Sequence, residues 1–223
     1  MAIYHKHEAL SKIQKIGMMP LFYHDDLEIC QHVVDAVFNG GCDLLEFTHR
    51  GDMAMDVFSE LVKYIRTHFP NALVGVGSIH DPYLGAYYIG KGADLVVGPS
   101  FNRDLAKLCN RHSVLYVPGC ASVNEIHSAL EMGVDLVKIF PASSIGGAEF
   151  FKAIKGPCPK VKLMPTGGVS CDEDNLRQWF NVGATAVGMG SNLISKTILT
   201  NKSFDDLEKS TEKTLAIIKK LQS

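Results

Sequence analysis

Short segments rich in β-forming residues recur eight times along this chain, and helical patterns separate them. Most of the segments are almost continuously apolar, which is typical of parallel strands covered by helices. In order they are MMPLFY, CDLLEFTHR, ALVGVGSI, DLVVGPS, VLYVPGC, DLVKIFPA, KLMPTGG and ATAVGMGS, beginning at Met18, Cys42, Ala72, Asp94, Val114, Asp135, Lys162 and Ala184. Eight β/α units in 223 residues predict an α/β fold of the (β/α)8 TIM-barrel type, with residues 1–223 in a single domain.

The stretches between these segments carry the signals of helices. Asp26 can cap a helix that has an apolar stripe and ends near Gly40, and Ser122 with Glu125 forms a capping-box pattern. The residues HEALSKIQKIG, ahead of the first segment, predict an extra N-terminal helix. A doubly wound open sheet is the alternative fold, but it usually has fewer strands, and no GxGxxG motif follows the first segment.

The charge balance gives no reason to expect a nucleic acid or a membrane as a partner. The chain has 22 basic and 24 acidic residues, no run of like charge, and no apolar run of the roughly 18 residues that a membrane span needs. The N-terminal segment lacks the pattern of a signal peptide. The six cysteines and nine histidines show no zinc-ligand spacing and no HExxH motif. We therefore expect a cytoplasmic protein with free thiols, no metal and no cofactor.

Charged side chains interrupt two of the apolar segments. In LLEFTHR, the alternation of a strand puts Glu46, Thr48 and Arg50 on one face, and in VKIFPA it pairs Lys138 with Phe140. Because barrel enzymes carry their chemistry at the C-terminal ends of the strands, we expect these residues to face the interior there. A structural ion pair between Glu46 and Arg50, or a lysine that reaches solvent, is the alternative explanation. Charges are rarely buried for stability alone, because desolvation is costly.

Two glycine motifs end the last two segments. They are PTGG, at residues 165–168, and GMGS, at residues 188–191. Adjacent glycines let backbone N–H groups approach a phosphate, and these two loops form the recurring phosphate site of barrels. Either motif alone could be an ordinary turn, so the indication comes from their presence on consecutive strands. Ser78 and Pro118 lie near the same predicted rim.

With these residues, the sequence resembles the 2-keto-3-deoxy-6-phosphogluconate (KDPG) aldolases, including the bifunctional enzymes that also cleave 4-hydroxy-2-oxoglutarate (KHG). The resemblance runs from about Met18 to Ser191 through LLEFTHR, GVGS, VPGCAS, VKIFPA, PTGGVS and GMGS. The succession of LExTxR and KIFPA is highly specific to this family. The chain departs from the pattern at PASSIGG, where many relatives have PAE, and at MPLFYHDD, where relatives often have an arginine or a valine-rich run.

The resemblance implies a class I aldolase in which Lys138 forms the Schiff base and Glu46 is the acid–base carboxylate. Arg50 and Ser78 would hold the carboxylate of the pyruvyl group, and Phe140 would pack beside the imine. The other substrate-binding residues would be Pro118, Thr166, Gly167, Gly168, Gly190 and Ser191. The substrate would be a phosphorylated keto acid, and the assembly a homotrimer.

Two alternatives to the aldolase remain open from the sequence. One is a phosphate-binding sugar epimerase that uses Glu46 as a base without covalent chemistry, since barrels host many reactions. The other is a non-catalytic barrel. The lysine on the sixth segment weighs against the first, and the presence of Glu46, Arg50 and Lys138 on predicted inward faces weighs against the second. The resemblance also implies a gluconate-type rather than a galactonate-type substrate, because related galactonate-type enzymes tend to carry valine where this chain has Thr166.

Overall fold

The computed structural model describes residues 2–222, in which strands and helices alternate. Nine strands are found in this part of the chain: β1 Met18–Phe22, β2 Leu44–Thr48, β3 Leu73–Gly77, β4 Leu95–Val97, β5 Leu115–Val117, β6 Gly119–Cys120, β7 Val137–Ile139, β8 Leu163–Pro165 and β9 Val187–Met189. Each of the eight predicted segments contains a strand. The fifth segment is divided into β5 and β6 at Pro118, which has no N–H to donate to a ladder.

Helices follow most of the strands, and one precedes them all. They are α1 Lys6–Ile16, α2 Leu27–Asn39, α3 Ala54–His68, α4 Pro82–Gly90, α5 Arg103–Arg111, α6 Val123–Glu131, α7 Gly147–Lys155, α8 Glu173–Asn181, α9 Lys196–Asn201 and α10 Phe204–Gln222, with a 3-10 turn at Ser143–Ile145. The predicted caps are present: Asp26 accepts hydrogen bonds from the first turn of α2, and Ser122 accepts one from Glu125 N. No helix within residues 2–222 is long and apolar enough to cross a membrane.

The strands pair in parallel and form two sheets. One has the order β5-β4-β3-β2-β1-β9, and the other has the order β6-β7-β8. The fold is therefore an α/β fold whose parallel strands curve into a partial barrel. The sequence predicted a single closed (β/α)8 ring, whereas the strand pairing divides the ring into these two sheets.

Contacts on both sides connect the sheets. On one side, Thr166, just after β8, forms a parallel bridge with Gly188 of β9. On the other side, Gly119 N of β6 donates to the carbonyl of Gly98, just after β4, over 2.9 Å. Because Thr166 and Gly98 directly follow their strands, the C-terminal ends of both sheets lie along a common rim.

The strand register places one charged residue inside each sheet. Glu46 of β2 is aligned with Leu21 of β1 and Gly75 of β3. Lys138 of β7 is aligned with Gly119 of β6 and Met164 of β8. All residues of β2 and β7 are buried, so both charges lie within the apolar core.

Candidate active site

Glu46 and Lys138 are the two charged side chains at the centre of the candidate site. They are 1% and 6% exposed, respectively. Phe47, the neighbour of Glu46, packs outward against Phe58 of α3, with 6.0 Å between the ring centroids. Since successive side chains of a strand point to opposite faces, Glu46 points away from the helices and into the barrel.

The surroundings of Glu46 favour its protonated form. Burial raises the pKa of this carboxyl above its usual range, and the charges of Lys138 and Arg50 offset part of that rise. Among residues 2–222, no group forms a hydrogen bond with Glu46 Oε2. Glycine at position 77 makes room for the carboxylate, because a Cβ atom there would overlap it. Glu46 is thus a buried carboxyl with an oxygen available to a ligand.

Lys138 is held by its backbone and lies beside an aromatic ring. Its N–H donates to the carbonyl of Pro118 over 2.9 Å. Its Nζ atom lies 5.1 Å from the centroid of the Phe140 ring. Pro118 is buried, and Phe140 is half-buried at the rim. An amine in such an enclosed position, electrostatically coupled to a carboxyl, can form an imine with a carbonyl compound and exchange protons with the acid.

Arg50 and Ser78 lie in the loops that follow β2 and β3. The alternation in LLEFTHR predicted that Arg50 would continue the inward face of β2, but β2 ends at Thr48 and Arg50 is exposed at the rim. Ser78 is half-buried and has a φ of 63°, a left-handed conformation that residues other than glycine rarely adopt. Strained backbone of this kind is concentrated at functional sites.

A cavity of about 140 Å³ opens at the C-terminal ends of β1, β8 and β9. It is lined by Leu21, Arg50, Phe140, Thr166, Gly167, Gly168, Val169, Gly188, Gly190, Ser191 and Asn192. The hydroxyl of Thr166 is buried and has no hydrogen-bond partner among residues 2–222. The cavity therefore combines a guanidinium, a free hydroxyl and two glycine loops, which suits an anionic, hydroxylated ligand.

A match to a family model identifies the protein family of this chain. Residues 10–210 match the model of KDPG and KHG aldolase. The chain belongs to this aldolase family.

Individual relatives agree with that membership. The 2-dehydro-3-deoxy-phosphogluconate aldolase of Haemophilus influenzae is 27% identical over 216 residues, which cover 97% of this chain and 99% of that protein. The KHG/KDPG aldolase of Escherichia coli is 28% identical over 192 residues, covering 86% of this chain and 87% of that one. The structure of the KDPG aldolase of Legionella pneumophila, with pyruvate captured as a covalent carbinolamine, has a TM-score of 0.83 and 26% identity, and covers 92% of this chain and 96% of that chain.

The structure of this family member adds cavity residues that the sequence did not single out. Leu21 is aligned with Glu46 and lies beside Gly190, where it narrows the cavity. Val169 and Asn192 directly follow the two glycine motifs. In the sequence, only their position next to PTGG and GMGS indicated that Val169 and Asn192 could line the site. Of the predicted residues, four are not among those lining this cavity: Glu46, Lys138, Ser78 and Pro118.

A larger groove, of about 860 Å³, lies at the opposite end of the strands. It is lined by α1, α10 and residues that precede β2, including Asp43 and its ion-pair partner Lys12. Since barrel chemistry occurs at the C-terminal ends of the strands, we assign the candidate active site to the smaller cavity near Glu46 and Lys138. Within residues 2–222, no cluster of three His, Cys, Asp or Glu residues could hold a metal ion.

Proposed function

We propose that this chain is a class I aldolase that cleaves KDPG to pyruvate and glyceraldehyde 3-phosphate, with KHG, cleaved to pyruvate and glyoxylate, as a second substrate. The observation that carries the proposal is the buried amine of Lys138, coupled to the buried carboxyl of Glu46 in a member of the KDPG and KHG aldolase family. Neither a non-covalent epimerase nor a non-catalytic barrel is supported by the family.

In the proposed mechanism, Lys138 attacks the C2 ketone of the substrate, and loss of water leaves a protonated imine. The iminium accepts the electron pair of the C3–C4 bond when the C4 hydroxyl gives its proton to Glu46, and the aldehyde leaves. The remaining enamine takes up a proton at C3, and water then hydrolyses the imine to release pyruvate and the free amine. The imine itself is the electron sink, so no metal or cofactor enters these steps.

The proposed role of Glu46 is supported by its environment. It must act as an acid in the carbinolamine steps and as a base in the cleavage step. A carboxyl whose pKa is raised by burial exchanges protons closer to neutral pH than an ordinary one does. Its unpartnered Oε2 atom supports direct contact with the substrate or with a bound water.

Further residues are proposed to hold the two ends of the substrate. Arg50 pairs with the pyruvyl carboxylate together with the Ser78 hydroxyl, and Phe140 and Pro118 pack around the imine. The phosphate end is held by Thr166, Gly167, Gly168, Gly190 and Ser191, all of which line the cavity. Binding of the remote phosphate orients C4 for cleavage.

We also propose a closed (β/α)8 barrel in a single domain of residues 1–223, a homotrimeric assembly and a cytoplasmic location. The bridge between Thr166 and Gly188 and the hydrogen bond from Gly119 to Gly98 support closure of the ring, because they connect the two sheets on both sides. The trimer rests on the family resemblance. The six cysteines, all free thiols in the structure, support a reducing compartment.

A retro-aldol assay on KDPG, its galacto epimer and KHG tests the substrate assignment, with pyruvate release as the readout. We expect turnover of KDPG and KHG and slower turnover of the galacto epimer. Absence of pyruvate from all three substrates would contradict the proposed function, and a preference for the galacto epimer would overturn the gluconate assignment.

A further inference from the structure

The carbonyls of the glycine loop, residues 166–169, are all bound by groups outside the loop. In order, Thr166 O accepts from Ala142 N (2.9 Å), Gly167 O from Ser143 N (3.1 Å) and Ser143 Oγ (2.7 Å), Gly168 O from Asn175 Nδ2 (3.3 Å), and Val169 O from Asn192 Nδ2 (2.8 Å). The donors come from three separate segments: the turn before α7, helix α8 and the loop after β9.

These bonds fix the direction of the N–H groups in the same loop. In a trans peptide, the carbonyl of one residue and the N–H of the next point in opposite directions. Carbonyls held outward at Gly167 and Gly168 therefore turn the N–H groups of Gly168 and Val169 the other way, and both of these residues line the cavity. Within residues 2–222, no hydrogen-bond partner is found for the N–H groups of Gly168 and Val169, whereas the parallel bridge between Thr166 and Gly188 directs the Gly167 N–H toward the Gly188 carbonyl.

The fit between Ser143 and the loop is close. Gly168 has a φ of 80°, and a Cβ atom at this position would overlap Ser143 Oγ. Two consecutive glycines with positive φ, Gly167 and Gly168, allow the chain to make this turn against the serine. Ser143 belongs to the segment PASSIGG, residues 141–147.

Asn175 is oriented by a second hydrogen bond. Its Oδ1 atom accepts from Ser170 N over 2.9 Å, which directs its amide nitrogen toward Gly168 O. Asn175 does not line the cavity, so it can affect a ligand only through the loop.

We propose that Ser143 and Asn175 are positioning residues that hold the glycine loop as a phosphate-binding cradle. They turn the carbonyls of Gly167 and Gly168 outward so that the N–H groups of Gly168 and Val169 converge on the phosphate. Selectivity for the phosphorylated over the unphosphorylated keto acid then depends on these two side chains. This inference rests on the proposed function of the cavity.

The test compares Ser143→Ala, Asn175→Ala and their double variant on KDPG and on 2-keto-3-deoxygluconate, the same carbon chain without the phosphate. Ser144→Ala is the matched control, because Ser144 is an exposed neighbour in the same turn whose side chain makes no hydrogen bond to the loop. Each single variant should raise KM for KDPG by about 3- to 10-fold, the effect of one lost hydrogen bond. We expect kcat for KDPG, and kcat/KM for 2-keto-3-deoxygluconate, to stay unchanged.

Calorimetric binding of inorganic phosphate provides the same comparison without turnover. Its affinity should fall in the two variants and in the double variant by the factor seen for KM, and stay constant in Ser144→Ala. A parallel loss of activity on both substrates, or unchanged KM and phosphate affinity in the double variant, would overturn the positioning role. Failure of the wild-type protein to cleave KDPG would instead refute the proposed function, and the phosphate titration would still decide the role of the cradle.

Discussion

At the scale of single residues, the protonation of Glu46 governs the proposed chemistry. Burial raises the pKa of this carboxyl, and the charges of Lys138 and Arg50 act in the opposite direction. A base must be ionised before it can accept the C4 proton. Activity should therefore appear only as the pH rises through the raised pKa.

We therefore predict that the acidic limb of the pH profile of kcat/KM for KDPG lies above pH 4.5, the ordinary pKa of the carboxyl. Arg50→Gln removes a charge that lowers this pKa, so the limb should move to higher pH. Glu46→Gln should abolish the limb and lower kcat by about 100- to 10,000-fold, while the imine still forms. A pH profile of kcat/KM for the three proteins checks this. An acidic limb that persists in Glu46→Gln, or wild-type turnover in that variant, would remove Glu46 from the mechanism.

Ser78 combines a strained backbone with a proposed binding role. Its φ of 63° is unfavourable for any residue with a Cβ atom. We predict that Ser78→Gly raises the free energy of unfolding by roughly 1 kcal/mol, since glycine relieves this strain. Loss of the hydroxyl should at the same time raise KM for KDPG. Urea unfolding and steady-state kinetics measure the two effects, and a variant that is more stable with an unchanged KM would exclude Ser78 from substrate binding.

At the scale of secondary-structure elements, the glycines of β3 leave room for side chains of the neighbouring strands. Gly77 leaves room for the Glu46 carboxylate, while Gly75 faces the side chain of Leu95. We predict that Gly77→Ala lowers kcat nearly as far as Glu46→Gln does, because the new methyl group displaces the carboxylate. Gly75→Ala is the matched control, which should lower the melting temperature without a comparable loss of kcat. Wild-type kcat in Gly77→Ala would show that the position of Glu46 is not set by this strand.

The strands themselves could be predicted from the sequence, but their division into sheets could not. Apolar runs bounded by turn residues indicate a strand wherever they occur, and each of the eight contains one. The break at Pro118 follows from the missing N–H. The pairing of β6, β7 and β8 as a separate sheet depends on contacts between distant segments, which periodicity does not encode.

The candidate site, like the fold, could be predicted only in part from the sequence. Alternation within LLEFTHR and VKIFPA indicated that Glu46 and Lys138 lie inside, and both side chains are buried. Strand alternation does not extend to Arg50, because β2 ends two residues earlier, but Arg50 lies at the rim and lines the cavity. The bonds of Ser143 and Asn192 to the glycine loop join residues 24 and 23 positions apart, so only the folded chain brings them together.

At the scale of the whole molecule, the two ends of the strand assembly are chemically different. The C-terminal end carries the rim of Arg50, Phe140 and the glycine loops, above the buried pair of Glu46 and Lys138. The N-terminal end carries the larger groove, which lies among lysines of α1 and α10. All the proposed chemistry lies at the C-terminal end, with Lys138 as the covalent centre.

Borohydride reduction in the presence of pyruvate tests this centre most directly, because it converts the imine into a stable amine that mass spectrometry can locate. Lys155→Ala is the control, since Lys155 is half-buried and burial lowers the pKa of its amine, which makes it a competing nucleophile. We expect a reduced pyruvyl adduct on Lys138 in the wild-type protein and in Lys155→Ala, and no adduct in Lys138→Ala. A full-strength adduct in Lys138→Ala would contradict the assignment of Lys138 as the Schiff-base residue.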